Sequence, residues 1–389
     1  MTKIKIPKLK KTNPNKVKKK KILLLSDDLR MHSGIATQSK EFVVGTLHKY
    51  DWVQIGGAIK HPEEGKTVDI SKEAGEVVGV KDAYLKVFPI SGYGNPDLLR
   101  QIMDAEKPDA IMHYTDPRFW GWLYQMEHEI RQQIPIFYYN IWDDLPYPRW
   151  NENFYESCDL IMNISKQTVN IVDNVCQNKP RTDLDSTYIP HGINEKYFYP
   201  LNESELNDKK FIRYKEAMLR KQEKDFILFY NARNIKRKMV GDIILAYNKF
   251  CSLLPKEKAD KCLLLMHTSP VDQHGTHLPN LIKELCTHGD VAFSDQKISP
   301  EALNMLYNIA DVTILISSNE GFGLSGAESL MCGTPIILNV TGGMQDQCGF
   351  KINDKHITYK DYSEIGSLHD HRLWENNESL THGEWVKPV

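Results

Sequence analysis

From residue 21 onward, short apolar runs alternate with amphipathic stretches. Residues 22–26, 52–59, 84–90, 110–113, 136–142 and 159–165 are apolar over the length of a buried strand. Between them, 36–47, 98–103, 119–133 and 166–176 carry apolar side chains at helical spacing; in 119–133 Phe119, Trp122, Leu123 and Met126 share one face. Residues 61–79 have few apolar anchors and are expected to form an irregular or hairpin insertion. A charged stretch poor in β-branched residues follows at 201–225 and reads as one bridging helix. Strands then resume at 226–230, 262–267, 291–293, 312–316 and 336–339, with helices at 241–254 and 299–310. Alternation of this kind predicts an α/β fold.

Residues 312–335 concentrate the candidate chemistry. A strand-like run, Val312 to Ile316, leads into a glycine turn containing Gly321 and Gly323. Ser325 with Glu328 three positions later has the form of a capping box, and Gly333-Thr-Pro335 ends the helix. Strand, glycine loop and helix N-terminus together bind an anion, because free N–H groups and the positive end of the helix dipole face it. Glu320 and Glu328 frame the loop. Carboxylates repel phosphate, so their natural partners are hydroxyls, and a sugar nucleotide offers both groups at once.

Composition narrows the setting. Of 389 residues 41% are hydrophobic, and no apolar run approaches the ~20 residues of a membrane span. Residues 1–21 hold ten lysines and no acid. Setting those aside leaves 39 basic against 51 acidic side chains in the body, about −12, a poor general surface for nucleic acid or anionic membrane; only the arm suits either partner. Seven cysteines without C-x-x-C pairs read as reduced packing residues of a cytoplasmic protein. Asp143-Asp144 point to opposite faces of an extended chain, Asp183-Leu-Asp185 sits in a polar loop, and His274-x-x-His277 lacks a third ligand, so no metal is expected.

The motifs resemble those of retaining glycosyltransferases of the family-4 type. The carriers are E-G-F-G-L-S-G-A-E at 320–328 followed by C-G-T-P at 332–335, the I-P-H-G-I-N stretch at 189–194 closing at Phe198 and Pro200, Arg233 with Lys238 five positions on, and the Gly342-Gly343 turn. The resemblance implies a GT-B fold, two Rossmann-like domains facing across a cleft. The expected division is a basic flexible arm (1–21), an acceptor domain (22–200), a linker helix (201–225) and a donor domain (226–389). Gly383 to Pro388 resembles a strand near the family's end, so the second domain is expected to be shortened.

It further implies transfer of a hexosyl group from a nucleoside-diphosphate sugar to an acceptor hydroxyl with retention of configuration, with no cofactor besides the donor. Arg233 and Lys238 would neutralise the departing diphosphate, with Lys236 and Arg237 close by as competitors for the lysine's part. Met239 stands where glycine is common. Backbone N–H groups around Phe322, Gly323 and Leu324 would hold the phosphate or sugar, Glu328 the ribose, Glu320 the transferred sugar, and Gly342 and Gly343 would line the pocket. His113, at the end of a strand, would touch the sugar, with Asp116 as the alternative. Gly34, in the first strand-to-helix turn, would approach the donor phosphate. His191 reads as structural. The acceptor, whether glycan, lipid or nucleobase, stays open. So do three other readings: a DNA-modifying glycosyltransferase using the lysine arm, an epimerase or phosphorylase of the same plan, and a non-catalytic sugar-nucleotide binder.

Overall fold

The computed structural model describes residues 18–58, 60–176, 184–339, 341–348, 350–352, 355–356 and 383–385. The first sheet contains β1 (Lys20–Asp27), β2 (Tyr50–Ala58), β3 (Val68–Asp69), β4 (Leu85–Ser91), β5 (Ala110–Tyr114), β6 (Ile136–Asn140), β7 (Leu160–Asn163) and β8 (Asp185–Tyr188). Their order is β3-β4-β2-β1-β5-β6-β7-β8, parallel except for β3 against β4. Alternate residues feed opposite cores. Leu23, Leu25, Ile55 and Tyr138 meet the helices Pro96–Glu106 and Lys166–Cys176, while Leu24, Trp52, Met112 and Tyr139 meet the helix Gly34–Thr46. Burial on both faces is why these strands read as continuous apolar runs.

The second sheet is smaller and wholly parallel. It contains β9 (Phe226–Asn231), β10 (Cys262–His267), β11 (Asp290–Phe293), β12 (Val312–Leu315) and β13 (Ile336–Leu338), in the order β11-β10-β9-β12-β13. Leu228, Leu264 and Ile314 pack under the helix Val240–Ser252; Phe229, Leu263 and Leu265 pack under Pro300–Ile309. Strand order reverses between β1 and β5 in the first sheet and between β9 and β12 in the second. Open α/β sheets form their ligand crevice outside the strand ends at such a reversal. A small antiparallel sheet of β14 (Phe350–Ile352), β15 (Lys355–His356) and β16 (Gly383–Trp385) follows.

Several expectations are corrected. Residues 61–79 hold β3 and a helix, Ser71–Val78, ended by Gly79 at φ +71°. Only Ala74 and Gly75 of that helix are buried, so its sequence lacks an apolar stripe. The helix expected over 119–133 is a 3-10 turn, Pro117–Trp120, and two short helices, Gly121–Gln125 and Glu127–Arg131, broken at Met126. The 201–225 stretch is two helices, Glu203–Leu206 and Lys209–Met218, rather than one bridge; Phe211 and Leu219 join Phe198 in the core of the second domain. Residues 189–194, the I-P-H-G-I-N stretch, are irregular. Asp183 of the D-x-D triplet lies outside the described residues, and Asp185 opens β8.

The end of the basic arm belongs to the first domain. Lys19 donates to the Leu47 carbonyl (2.8 Å) and pairs with Asp82; Lys20 pairs with Asp109 (2.7 Å) and Lys21 with Glu106 (2.8 Å). Burial pushes the Glu106 carboxyl up, but its bonds from Lys21, Tyr84 and Lys86 outweigh that and hold it at about 2. Residues 1–17 lie outside the described residues. No described helix is long and apolar enough to cross a membrane.

Met239 joins the 3-10 turn Lys236–Lys238 to the helix Val240–Ser252 at φ +52°. A Cβ in the left-handed region costs roughly 1–2 kcal/mol. We therefore expect Met239→Gly to raise stability by about 1 kcal/mol in urea denaturation, offset in part by the glycine's larger unfolded-state entropy. An unchanged or lower midpoint would mean that the methionine's contacts outweigh its backbone strain.

Candidate active site

The loop from Ser317 to Gly323 runs from β12 into the helix Leu324–Met331, in the crevice at the β9/β12 reversal. Gly323, at φ +82°, precedes the helix and provides no side-chain cap. The amides of Leu324 and Ser325 donate to no group among the described residues. Free N–H groups at a helix start are the feature an anion cradle uses; the expected capping box is not present. Ser325 Oγ instead donates to the Asn231 carbonyl (2.6 Å), and Glu328 Oε2 accepts from the Tyr307 hydroxyl (2.7 Å). Asn231 Nδ2 donates to Tyr307 (2.8 Å) and lies 3.5 Å from Glu328 Oε2. Burial pushes the Glu328 carboxyl up to about 7, against the pull of the Tyr307 bond.

Glu320 is buried, 6% exposed, and gathers the cations. Its Oε1 pairs with Lys238 Nζ and its Oε2 lies 3.3 Å from Arg237 Nη1. Arg237 Nη1 also donates to the Asn319 carbonyl (2.8 Å) and stands 3.9 Å from Asp143 Oδ2. Burial raises the Glu320 carboxyl, but Lys238 and Arg237 together hold it below its ordinary value. Lys238 is lowered, burial outweighing the attraction of Glu320. Asp143 is raised by burial and by Glu320, with Arg237 pulling the other way. Lys238 therefore stands in the site as expected. Arg233 does not: it is exposed and forks onto Asp272 (2.9 and 3.3 Å), so in this structure Arg237 takes the inner position. The signal for Arg237 was its place in the basic run before the helix.

Gly342 and Gly343 brace the loop. A Cβ on Gly342, at φ +50°, would overlap the Glu320 carbonyl, and one on Gly343 the Phe322 backbone. The Gly343 N–H donates to the Glu320 and Gly321 carbonyls (3.2 and 3.1 Å). These glycines thus hold the loop from behind, and the Gly343 amide is not free for a ligand. On the opposite wall, a Cβ on Gly34 would sit 3.4 Å from Leu324 Cδ1, which puts the first glycine turn beside the helix N-terminus as expected.

The first domain closes on the same loop. Asn319 Nδ2 donates to Asp143 Oδ1 (3.2 Å), and Gly321 lies against Ile141 and Ile164. His191 accepts or donates at both nitrogens, to Tyr114 (3.1 Å) and Tyr139 (2.9 Å), and packs on Phe322 at 5.2 Å. Burial lowers it to about 4, so it is a neutral, structural wall. His113 corrects the expectation of a sugar contact. It is fully buried, bonded through Nδ1 to Tyr124 (2.6 Å) and stacked on Tyr138, and burial lowers it to about 3. Strand parity sends His113 into one core and Tyr114 into the other, toward His191. Asp116 caps the turn Pro117–Trp120 and pairs with Arg118. Among the described residues no group of three or more His, Cys, Asp or Glu side chains gathers to hold a metal.

Residues 212–357 match the family model described as glycosyl transferases group 1, the span that holds Arg237, Lys238, Glu320 and Glu328. Solved structures similar over nearly the whole chain include sucrose-phosphate synthase of Thermosynechococcus elongatus (TM-score 0.62, 16% identity, 94% of this chain and 92% of that one). Anabaena HepE in complex with UDP-glucose is similar over 93% and 92% (TM-score 0.60, 14% identity). The fold is GT-B. The chain is 27% identical over 191 residues to N-acetyl-alpha-D-glucosaminyl L-malate synthase of Bacillus anthracis, 49% of this chain and 44% of that protein. It is 51% identical over 39 residues to D-inositol 3-phosphate glycosyltransferase of Thermomonospora curvata, 10% of this chain and 9% of that protein. The matched stretches thus span less than half of either curated relative.

Two outcomes test the electrostatics. Glu320→Gln leaves Lys238 buried beside Arg237 without its counter-ion, and we expect a loss of about 3 kcal/mol that Lys238→Met in the same chain largely restores. Additive losses in chemical denaturation would show the pair to be independent. Glu328, raised in the folded state, binds its proton more tightly folded than unfolded, so its contribution to stability is complete below about pH 4.5 and falls as pH rises to about 7. Glu328→Gln is expected to flatten the stability profile across that window. An equal slope in wild type and variant would assign it to other groups.

Proposed function

We propose that this protein is a glycosyltransferase that moves a sugar from a nucleoside-diphosphate sugar to an acceptor hydroxyl with retention of configuration. The observation that carries the reading is the convergence, at one strand-order reversal, of the unpaired helix N-terminus at Leu324–Ser325 with Lys238 and Arg237. Fixed donors and cations directed at developing diphosphate charge supply the main electrostatic need of such a reaction. The diphosphate sits at the helix N-terminus, with Arg237 and Lys238 on its oxygens. Glu328 turns its second oxygen, Oε1, to the ribose hydroxyls, while Tyr307 and Asn231 hold Oε2. The bond between the sugar C1 and the phosphate oxygen breaks, the acceptor oxygen bonds to C1 on the same face, and the acceptor proton passes to the departing diphosphate. No cofactor or metal is required by this step. In this reading Glu320 keeps the two cations together, and Arg233 swings from Asp272 to the outer phosphate oxygens.

UDP-glucose is the first donor to test, because two of the similar solved structures are named with UDP-glucose or its 2-fluoro analogue. Calorimetry should find saturable binding of one nucleoside diphosphate and its sugar, weakened more than about tenfold by Arg237→Ala and by Lys238→Ala, each loss exceeding ~1.4 kcal/mol. Arg233→Ala should weaken it less. Hydroxyls donate best to an ionised carboxylate, so affinity should rise with pH through about 7 and lose that rise in Glu328→Gln. No nucleotide binding in a folded sample would sink the reading; binding without donor turnover would favour a non-catalytic binder.

A further inference from the structure

The first domain presents an aromatic band at the cleft that the donor site does not use. Tyr93, just beyond β4, stacks on Phe119 at 4.8 Å with the rings 10° apart. Arg118 lies over the Trp142 ring at 5.2 Å, and Trp142 meets Trp150 edge-on at 6.1 Å. Phe119 is 53% exposed and Trp150 59%, large apolar side chains that the cores do not take up. All four rings follow the carboxyl ends of β4, β5 and β6, the edge where ligands of open sheets gather. The band borders the second domain at Trp142, which is followed by Asp143, whose carboxylate meets Asn319 and Arg237.

Charge decides what the band suits. Asp27, at the end of β1, accepts from Ser33 Oγ through Oδ2 (2.9 Å), and its Oδ1 has no partner among the described residues. The Tyr93 hydroxyl lies within electrostatic reach of Asp27 and Asp116 and makes no described hydrogen bond. Arg30 is paired with Asp28 and Glu63 and Arg118 with Asp116, while Arg149, beside Trp150, donates to the Asn174 and Val175 carbonyls. At the Tyr93–Phe119 end an anionic acceptor would meet Asp27 and Asp116, with Arg118 already paired. A sugar ring offers a flat apolar C–H face to an aromatic ring and equatorial hydroxyls to a carboxylate.

We propose that Tyr93, Phe119, Trp142 and Trp150, with Asp27 as hydroxyl acceptor, form an extended acceptor subsite for a neutral oligosaccharide. The proposal rests on the glycosyl-transfer reading above and names its acceptor class. The rings bind successive residues of the chain outward from the transfer point, and the sugar at Tyr93 and Asp27 presents its hydroxyl to the donor.

Saturation-transfer NMR on the full chain, with maltotetraose, cellotetraose and mannotetraose as probes and tetragalacturonate as the anionic control, tests it. At least one neutral tetramer should show transfer concentrated on ring C–H protons, with an affinity lowered about tenfold in Phe119→Ala/Trp150→Ala and in a separate Asp27→Asn variant. Nucleoside diphosphate binding, read by calorimetry on the same samples, should be unchanged in the aromatic variant. Transfer to none of the neutral tetramers, stronger transfer to the anionic one, or equal affinity in the variants would overturn the subsite. Loss of nucleotide binding in the wild type would instead count against the donor reading, so the two failures are distinguishable.

Discussion

Glu320 holds the site together. Its carboxylate lies between Lys238 and Arg237, which arrive on the turn after β9, while Glu320 arrives on the loop after β12. Two cations this close repel each other, and burial makes that repulsion stronger than in water. The carboxylate converts it into a fixed arrangement of Lys238 and Arg237 beside the loop. It also explains why Glu320 cannot be read as an isolated sugar ligand: both its oxygens are engaged. In the proposed function an arriving anion would share the cations with Glu320, beside Asp143, whose carboxyl burial raises.

The same loop is where the two domains meet. Gly342 and Gly343 press it from the second domain, Ile141, Ile164 and Asp143 from the first, and His191 backs Phe322. Lys166 N–H adds a further link to Asp346 (2.8 Å). A group bound at the helix N-terminus is therefore held by a backbone whose position depends on both sheets. In the proposed function acceptor and donor would face each other, each at the carboxyl edge of its own parallel sheet.

The architecture was legible because buried parallel strands are apolar on both faces, which leaves a strong signal at β1, β2, β9 and β10. The loop chemistry was less so, and the reasons are local. The order S-x-x-E at 325–328 fits a capping box, yet the helix starts one residue before Ser325, and Tyr307, distant in sequence, claims the glutamate. His113 and Tyr114 are neighbours at a strand end, and only the register against β1 and β6 says which faces His191. Arg233 and Arg237 both lie in one basic stretch; which one turns inward is decided by Asp272, 39 residues from Arg233 in sequence. Helix Ser71–Val78 buries almost nothing apolar and so had no periodicity to detect.

The likeness to known proteins divides along the same line as the chemistry. The family match covers 212–357, the half that carries the cations, the loop and Glu328. In the proposed function that span would hold the nucleotide sugar. The acceptor would meet the loops after β1, β4, β5 and β6, outside that match, so the malate and inositol phosphate in the relatives' names do not transfer with it. Those names describe anions, whereas the first-domain loops here pair Arg30 and Arg118 with acids and expose aromatic rings and a half-free carboxylate. In the proposed function a neutral sugar bound there would lose only hydroxyl hydration that Asp27 can replace, and donor chemistry and acceptor choice would be set by separate physical terms on opposite walls of one cleft.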